Sequence, residues 1–340
     1  MSVLPITQVK AAVSPKVLMV SVIMPVRNEE EFIERSLGAV LNQDYPHEQM
    51  EFLIADGLSN DNTLVIVKKM AGAEKIKIIQ NHRRIQSAGL NEAIKEATGE
   101  IIIRIDAHTI VAPDYVRQCV LALQTSGAHN VGGPMDPCGL TPMGRAIAAA
   151  GKSAFAVPSV FHVSQKAQFT DTVYMGAWPK QVLVNVGMFN VNYDINEDYE
   201  LNYRIRRAGG KIYFSPAIHS QYYGRQKLSE LGRQYFRYGK SKIRTLREHP
   251  ASLRLRQLVA PAFVVFVLSI IPLGAFDSAL IKWWLSSLMI YCLLDLYFST
   301  RLGKAWRMIW RMLFVFPTIH LAWGSGFWIG LLVPPKTNRF

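Results

Sequence analysis

The most constraining feature of the sequence is an alternation of strand-like and helix-like segments over residues 17–124. Short runs rich in Val and Ile are each followed by a segment whose apolar residues recur every three or four positions. Such repeats predict an α/β fold with a mainly parallel sheet covered by helices. The predicted strands are 17–26, 51–55, 76–80 and 101–105, and the predicted helices are 29–41, 63–70, 87–97 and 114–124.

Length and cysteine usage narrow the class further. The 340 residues suffice for one large α/β domain with an appendage. The three cysteines have no spacing typical of a zinc site, a redox dithiol or a disulfide framework. The first sixteen residues carry Lys10 and Lys16 and no continuous apolar stretch, so we expect no secretory signal and a cytoplasmic N-terminal domain.

The net charge of +13 is concentrated in one segment. Residues 201–257 contain 14 Lys and Arg against only Glu230 and Glu248. Because this segment directly precedes a strongly apolar region, it is best interpreted as a collar facing anionic lipid, where each basic residue contributes about 1 kcal/mol. Tyr235 and Tyr238 keep a nucleic-acid groove open as an alternative, but we expect a membrane partner and no nucleic acid.

The C-terminal third predicts a membrane region. Three apolar stretches approach the ~20 residues needed to cross a bilayer, namely 258–276, 279–298 and 308–333. Arg301, Lys304 and Arg307 in the second connection indicate that this connection is cytoplasmic. Three spans would place the C-terminus outside despite Lys336 and Arg339, a conflict that a re-entrant or surface-lying second segment would remove.

The predicted organisation therefore has three parts. Residues 1–224 form the α/β domain, 225–257 a basic amphipathic segment at the membrane interface, and 258–340 a transmembrane region of about three helices. The expected location is the cytoplasmic membrane, as a multi-pass protein with its α/β domain inside the cell.

Polar residues follow three of the predicted strands. They are the stretches Pro25-Val26-Arg27-Asn28-Glu29, Asp56-Gly57-Leu58-Ser59-Asn60-Asp61 and Asp106-Ala107-His108. Open α/β sheets bind ligands at the carboxyl ends of their strands. Glu29 and Asp61 have a structural alternative as helix-starting and capping residues. Asp106 ends a very apolar strand and has little structural reason to be there, which favours a functional role.

These residues resemble the family 2 glycosyltransferases, and within them the succinoglycan-type membrane-attached glucosyltransferases. The resemblance covers most of residues 17–245 and rests on three motifs in order: residues 20–29, 56–63 and 197–201. It implies an enzyme, a hexosyltransferase, with the GT-A nucleotide-binding sandwich. It also implies a UDP-sugar as the donor substrate.

The resemblance implies roles on the donor side. Pro25, Arg27 and Glu29 would lie along the nucleotide and Asp56 would hold the uracil or ribose. Asp106 would approach the diphosphate through a divalent cation, since a hard cation neutralises the charge of a departing diphosphate.

The sequence departs from the family's Asp-x-Asp motif, because His108 stands where the second carboxylate is usual. Magnesium prefers oxygen ligands, whereas manganese tolerates imidazole. We therefore expect manganese to support activity at least as well as magnesium if His108 is a ligand. Binding of the cation through Asp106 alone is an equal alternative.

On the acceptor side, Asp198 is the candidate general base. A single displacement needs a group that removes the proton of the attacking hydroxyl. The structural alternative is that Glu197 and Asp198 are an acidic first helical turn, stabilised by the helix dipole and by Arg204. The two interpretations are compatible.

Residues 234–238 resemble the Gln-x-x-Arg-Trp element of processive family members, with Tyr238 in the place of tryptophan. That resemblance puts Gln234 and Arg237 beside the acceptor and the diphosphate. The alternative is an amphipathic helix on the membrane surface, with Arg233, Arg237 and Lys240 facing lipid phosphates.

The expected function is inverting transfer of a sugar, glucose by resemblance, from a UDP-sugar to a hydroxyl of a lipid-linked saccharide at the inner leaflet, in exopolysaccharide or cell-surface glycan biosynthesis. Direct transfer to polyprenyl phosphate is one alternative. A non-catalytic membrane-attached scaffold is another, from a different class.

Overall fold

The computed structural model describes residues 16–72, 76–156, 164–193, 195–273 and 278–333. Its N-terminal part is built around an eight-stranded sheet with the order β3-β2-β1-β4-β9-β6-β10-β8. Those strands are β1 (Val20–Val26), β2 (Met50–Asp56), β3 (Ile76–Gln80), β4 (Ile101–Arg104), β6 (Asn130–Gly132), β8 (Gln168–Thr170), β9 (Ala177–Pro179) and β10 (Ile212–Phe214). Only β8 and β9 run antiparallel to their neighbours. The prediction of a mainly parallel sheet is confirmed.

A smaller sheet packs beside the carboxyl ends of the main strands. It consists of β5 (Thr109–Val111), β7 (Met135–Cys138) and β11 (Ser220–Tyr223), with β11 in the middle. The helices of this part of the chain are α1 (Ile33–Leu41), α2 (Thr63–Ala71), α3 (Gln86–Glu96), α4 (Tyr115–Ser126), α5 (Pro142–Gly151), α6 (Lys180–Asn185) and α7 (Glu197–Arg207).

Apolar residues on both faces of the main sheet explain why the alternating pattern predicted it. One buried cluster joins β1, β2 and β4 to α1 and α4 around Leu37 and Val116, and the other packs α3 and α7 on the opposite face around Leu90 and Leu201. A sheet covered on both faces needs nearly continuous apolar strands, as in Ile101-Ile102-Ile103. All four predicted strands and all four predicted helices of residues 17–124 are present, with ends shifted by at most four residues.

The C-terminal part is entirely helical in the residues described. Its longer helices are α8 (Leu228–Glu248), α9 (Val259–Leu268), α10 (Ile270–Leu273), α11 (Ser278–Leu302) and α12 (Trp306–Leu332). Short 3-10 turns lie at Pro250–Ser252 and Leu255–Leu258. The predicted organisation into parts ending at 224 and 257 stays a prediction, although residue 224 does fall between β11 and α8.

The prediction of three membrane spans is wrong for the described residues, which contain two helices long and apolar enough to cross a bilayer, Ala279–Leu302 and Trp306–Leu332. The first predicted span, 258–276, divides into α9 and α10. A ten-residue helix is about 15 Å long and cannot cross ~30 Å of hydrocarbon. The end of that stretch, residues 274–276, lies outside the described residues. The same is true of residues 1–15, where no secretory signal was predicted, and of Lys336 and Arg339.

Helix α12 differs from a free membrane helix because it packs closely along α8. A side chain at Gly239 would collide with the carbonyl oxygen of Trp323, and one at Gly326 with that of Phe236. Small residues at such positions let two helix backbones approach. Met312 and Phe316 of α12 are buried against α5. Helix α12 is thus part of the same body as the sheet domain.

Candidate active site

Three of the polar stretches come together because β1 lies between β2 and β4 and runs parallel to both. The loops after β1 and β2 interlock through hydrogen bonds. The Asn28 backbone N–H donates to Ser59 Oγ at 3.0 Å, and the Asn60 backbone N–H donates to Asn28 Oδ1 at 3.0 Å. Asn28 has φ 55°, a left-handed conformation that asparagine tolerates better than most residues. The crossing loops lie at the carboxyl ends of the strands, where open α/β sheets bind ligands in a crevice.

Asp56 lies at the bottom of this crevice and is 1 % exposed. Its carboxylate accepts a hydrogen bond from Ser59 Oγ at 2.6 Å and from the Ser59 backbone N–H at 3.2 Å. Arg27 lies close by, since a Cβ on Gly57 would be 3.2 Å from its side chain. Pro25 pairs with Ala55 inside the sheet. The structure therefore gathers Pro25, Arg27 and Asp56 at one edge, as the strand order requires.

Asp106 is held by a buried arginine two residues before it. Arg104 Nε donates to Asp106 Oδ1 at 2.7 Å and Nη2 to Oδ2 at 3.2 Å. The third guanidinium nitrogen, Nη1, donates to Glu197 Oε1 at 2.9 Å. Arg104, Asp106 and Glu197 are 4 %, 6 % and 4 % exposed. The Arg104 guanidinium thus links the end of β4 to the start of α7.

Electrostatics in this cluster follow from burial and mutual attraction. Burial alone would lower the pKa of Arg104, but the carboxylates of Asp106 and Glu197 outweigh it and raise that pKa. The guanidinium is therefore always charged. Burial raises the pKa of Glu197 to about 6, although Arg104 acts in the opposite direction.

The residues around Asp106 fit a divalent cation that is shared with a ligand. Among the described residues no group of three or more His, Cys, Asp and Glu side chains is placed to hold a metal by itself. A carboxylate has about four lone-pair positions, and Arg104 and Gln86 occupy three of those on Asp106. One acceptor position on Oδ2 remains, too few for a closed site but enough for a cation that also binds phosphate oxygens.

His108 is arranged as a potential second ligand. Its Nδ1 lies 3.3 Å from Glu29 Oε1. In the neutral tautomer with the proton on Nδ1, that nitrogen donates to Glu29 and the Nε2 lone pair is left for another partner. A histidine that binds metal commonly donates its other N–H to a carboxylate. Burial would lower the pKa of His108, but Glu29 outweighs that effect and raises it.

Asp198 stands beside Glu197 at the start of α7, yet its side chain has a different environment. Glu197 points back to Arg104, whereas Asp198 is partly exposed and lines a cavity. Its only described hydrogen bond is from the Tyr199 backbone N–H at 2.7 Å. Burial raises the pKa of Asp198, and Arg104 lowers it less. Glu197 lines the cavity as well, but Asp198 is the more exposed of the two and has no described arginine partner.

That cavity is about 780 Å³ in volume and contains both candidate carboxylates. Its walls come from the strand ends, from α5 and α7, and from the C-terminal helices. Asp106, His108 and Asp198 are on one side, and Ile319, His320 and Trp323 of α12 are on the other. Five arginines contribute to the lining: Arg104, Arg225, Arg233, Arg237 and Arg256.

Gln234 and Arg237 of α8 both line this cavity, so the structure brings them to the same space as Asp106 and Asp198. Gln234 Nε2 donates to the hydroxyl of Tyr238 at 2.7 Å. Arg237 is an exposed residue. Pro25, Arg27, Glu29 and Asp56 are outside the cavity, in the adjoining crevice, and the pair Glu29–His108 connects the two.

Sequence reasoning missed two sets of residues. The first is Arg104 with Glu197, although a charged residue inside an apolar strand is itself a signal, because a buried cation needs a partner. The second is the α12 wall with Ile319 and Trp323. Nothing in an apolar stretch distinguishes a side chain that faces lipid from one that lines a cavity.

The fold and this site define a class, the GT-A glycosyltransferases. The structure of a mannosyltransferase from Pyrobaculum calidifontis, in complex with GDP-Man and Mn²⁺, superposes with a TM-score of 0.65 at 19% identity, over 92% of this chain and 89% of that one. At this identity the likeness shows the fold, and it extends through the C-terminal helices.

Sequence comparison assigns the family. Residues 21–148 match the model of Glycosyl transferase family 2. A dolichyl N-acetyl-alpha-D-glucosaminyl phosphate 3-beta-D-2,3-diacetamido-2,3-dideoxy-beta-D-glucuronosyltransferase of Methanococcus voltae is 31% identical over 75% of this chain and 82% of its own. Succinoglycan biosynthesis protein ExoA of Rhizobium meliloti is 29% identical over 92% and 94%. This chain belongs to glycosyltransferase family 2, as its motifs predicted.

Proposed function

We propose that the protein transfers a sugar, glucose in the first instance, from a UDP-sugar to a hydroxyl of a lipid-linked saccharide, with inversion at the anomeric carbon. One observation carries the proposal. Asp106, at the end of a nucleotide-binding sheet, and Asp198 line a single cavity whose far wall is made by apolar C-terminal helices. Donor chemistry and a lipid-facing structure therefore meet in one space.

The crevice supports the donor part of the proposal. Asp56 is buried and already oriented by Ser59, so its carboxylate is preorganised to accept hydrogen bonds from a uracil or a ribose. Arg27 lies at the mouth, where its charge can accompany a phosphate. We infer from the strand order that the diphosphate then lies toward Asp106 and His108.

Those two residues would hold a divalent cation together with the diphosphate. When bound, the cation neutralises negative charge on the departing UDP. If His108 is a ligand, activity with manganese equals or exceeds activity with magnesium. Clearly better turnover with magnesium at every concentration would count against His108 as a ligand.

Asp198 supports the acceptor part. Its carboxylate faces the cavity and can accept the proton of an acceptor hydroxyl as the oxygen attacks the anomeric carbon. Its raised pKa makes it a better proton acceptor than an ordinary aspartate and also means that it becomes protonated at a higher pH than an ordinary aspartate does. Attack opposite the departing UDP inverts the anomeric configuration.

Names of the relatives support a lipid-linked or polysaccharide acceptor. The Methanococcus voltae relative is named for a dolichyl-linked sugar phosphate, and the Rhizobium relative for succinoglycan biosynthesis. The arginines that line the cavity would complement the phosphates of such an acceptor. We accordingly assign the reaction to exopolysaccharide or cell-surface glycan biosynthesis.

The cationic lining favours a second candidate, direct transfer to polyprenyl phosphate. An anionic phosphate oxygen needs no general base. Asp198→Asn would then leave turnover nearly unchanged, and the product would be labile to mild acid. Loss of turnover with an acid-stable product supports the hydroxyl acceptor instead.

Helices α11 and α12 support membrane attachment. Helix α11 exposes apolar side chains such as Trp283 (75 %), Met289 (59 %) and Leu293 (57 %). Exposed apolar surface of this extent is typical of contact with lipid. We propose that the sheet domain is on the cytoplasmic face, and the basic residues in the α11–α12 connection and on α8 support this orientation.

The test measures release of UDP from a panel of UDP-sugars by the purified full-length protein in detergent with manganese, with and without a membrane lipid extract. Extract-dependent release from one sugar supports the proposal and identifies the donor. When Asp198→Asn is tested in the same assay, Asp44→Asn is its matched control, because Asp44 pairs with Arg117 on the surface. Absence of both release and UDP binding would contradict the proposal and favour the scaffold alternative.

A further inference from the structure

Arg104 occupies an unusual place for a charged residue. It is the last residue of β4, behind three isoleucines, and only 4 % of it is exposed. All three kinds of guanidinium nitrogen have a carboxylate partner: Nε and Nη2 bond Asp106, and Nη1 bonds Glu197. The planar fork of arginine can serve two carboxylates at fixed angles, which the single ammonium of lysine cannot.

The two carboxylates belong to opposite halves of the cavity. Asp106 ends the central strand on the donor side, whereas Glu197 is the first residue of α7 and is followed directly by Asp198. Glu197 and Asp198 share one backbone, so the position of Glu197 largely sets the place of the Asp198 carboxylate. Ser241 Oγ also holds this turn by donating to the Ile195 carbonyl at 2.8 Å, but among the described contacts one guanidinium alone bonds to both carboxylates.

The backbone before α7 shows that this position is held rather than relaxed. Asn196 has φ 62°, a left-handed conformation that is uncommon outside glycine and costs free energy unless surrounding contacts stabilise it. Among the described residues, its side chain makes one hydrogen bond, a 3.5 Å contact with the Tyr238 carbonyl. The bond from Arg104 to Glu197 is the short, charged contact at this turn.

We propose that Arg104 is a positioning residue that sets the distance between the cation-holding carboxylate Asp106 and the base Asp198, by pinning Glu197 to the end of β4. The inference rests on the proposed function. Arg104 lines the cavity, but its guanidinium nitrogens already bond to Asp106 and Glu197, so we assign it no direct contact with sugar or acceptor. Its loss should harm alignment of the acceptor more than departure of UDP.

The ratio of the transfer rate to the hydrolysis rate distinguishes misalignment of the acceptor from a loss of protein stability. Under the proposed function, the protein should hydrolyse its UDP-sugar slowly when water replaces the acceptor, and it should transfer the sugar when lipid extract is present. A less stable protein loses both rates equally, because fewer molecules are folded. A misplaced base reduces transfer more than hydrolysis, since a bulky acceptor must be oriented and water need not be. Misplacement by about 1 Å can cost about 100-fold.

Three variants test the bridge. Glu197→Ala leaves Arg104 paired with Asp106 but breaks the link to α7, and it should lower the ratio of transfer to hydrolysis by about 10- to 100-fold. Arg104→Lys keeps the charge and should lower the ratio similarly. Glu197→Gln keeps an oxygen that accepts a hydrogen bond from Arg104 Nη1, so its ratio should stay within about threefold of the wild-type value.

A matched control lies one turn further along α7. Arg204 Nε donates to Glu200 Oε1 at 2.6 Å in an ion pair of the same type, away from the cavity. Arg204→Lys should lower the thermal unfolding midpoint without changing the ratio. The assays use full-length protein in detergent with manganese, the UDP-sugar released by wild-type protein, and the lipid extract.

The outcomes separate this inference from the proposed function. Absence of transfer by wild-type protein contradicts the proposed function. Transfer by wild-type protein with an unchanged ratio in Glu197→Ala, or with an equal change in Arg204→Lys, overturns the positioning role. A changed ratio in Glu197→Ala that Glu197→Gln restores supports it, even if Arg104→Lys does not fold.

Discussion

The strand edge formed by β1, β2 and β4 and the helical wall formed by α8 and α12 border the same catalytic space, but their structures have different origins. At the strand edge each polar side chain follows its own strand, so its place is set by a few neighbouring residues. In the helical wall, Trp323 faces the cavity only because Gly326 and Gly239 let α12 pack closely on α8. Local pattern determines the first region and tertiary packing the second.

This difference suggests a division of labour that mutations can break. Changes at the strand edge should affect departure of UDP, with or without an acceptor. Changes to the α12 side chains of the helical wall should affect only reactions that use the lipid-linked acceptor, whereas Gln234 and Arg237 of α8 should affect both. Asp198, at the junction, should affect proton removal in both.

The largest effect is expected for Asp198→Asn. General-base catalysis typically contributes about 10²–10⁴-fold, and transfer should fall on that scale while UDP binding is retained. Turnover with the lipid extract and the dissociation constant for UDP are the measurements, with Asp44→Asn as the control. Near-normal turnover would remove Asp198 from the mechanism.

Asp106→Asn should reduce UDP release by about 10²–10³-fold, with or without lipid extract. The amide keeps the shape of the side chain but removes the charge that would hold the cation. It also leaves the buried Arg104 with one fewer carboxylate, so thermal unfolding must be measured alongside. A defect confined to acceptor-dependent turnover would place Asp106 with the helical wall instead.

The pH dependence of transfer should show an acid limb above the range of an ordinary aspartate, about 3.9. Asp198 must be ionised to accept a proton, and burial raises its pKa. Activity is therefore lost as the pH falls through that raised pKa. For each unit of upward shift, the rate at pH values below both pKa values drops about tenfold. A limb at or below pH 4 would contradict the raised pKa of Asp198, although not its role as the base.

Trp323→Ala is expected to raise the KM for the lipid-linked acceptor by about five- to tenfold and to leave hydrolysis of the UDP-sugar unchanged. The indole lines the cavity opposite the strand edge, and its removal takes apolar contact from the acceptor. Leu293→Ala on the outer face of α11 is the control. Equal loss of hydrolysis would show that the two regions do not act separately.

The two regions also differ in how far the sequence predicted them. The strands Val20–Val26 and Ile101–Arg104 could be predicted because a strand covered by helices on both faces of the sheet must be apolar. The residues that follow such a strand lie at the edge of the sheet where ligands bind. The place of Asp106, Asp198 and Gln234 in one cavity was anticipated from the motifs. Their assigned roles stay predictions.

Burial against a distant element was not predictable. An apolar run such as residues 258–276 predicts a membrane span whether it forms one helix or two. In the structure, α9 ends at Leu268. The link from Arg104 to Glu197 joins residues 93 positions apart. Only the unexplained charge in an apolar strand hinted at it.

The most direct test of the account follows a labelled sugar. Full-length protein is incubated with manganese, lipid extract and the UDP-sugar that supports UDP release, labelled in the sugar, and the organic phase is counted. The account predicts label in the organic phase, in a product of inverted anomeric configuration, and its loss with Asp198→Asn. Label that remains in water as free sugar, with folded protein and bound UDP, would contradict the claim that the helical wall presents a lipid-linked acceptor to the strand edge.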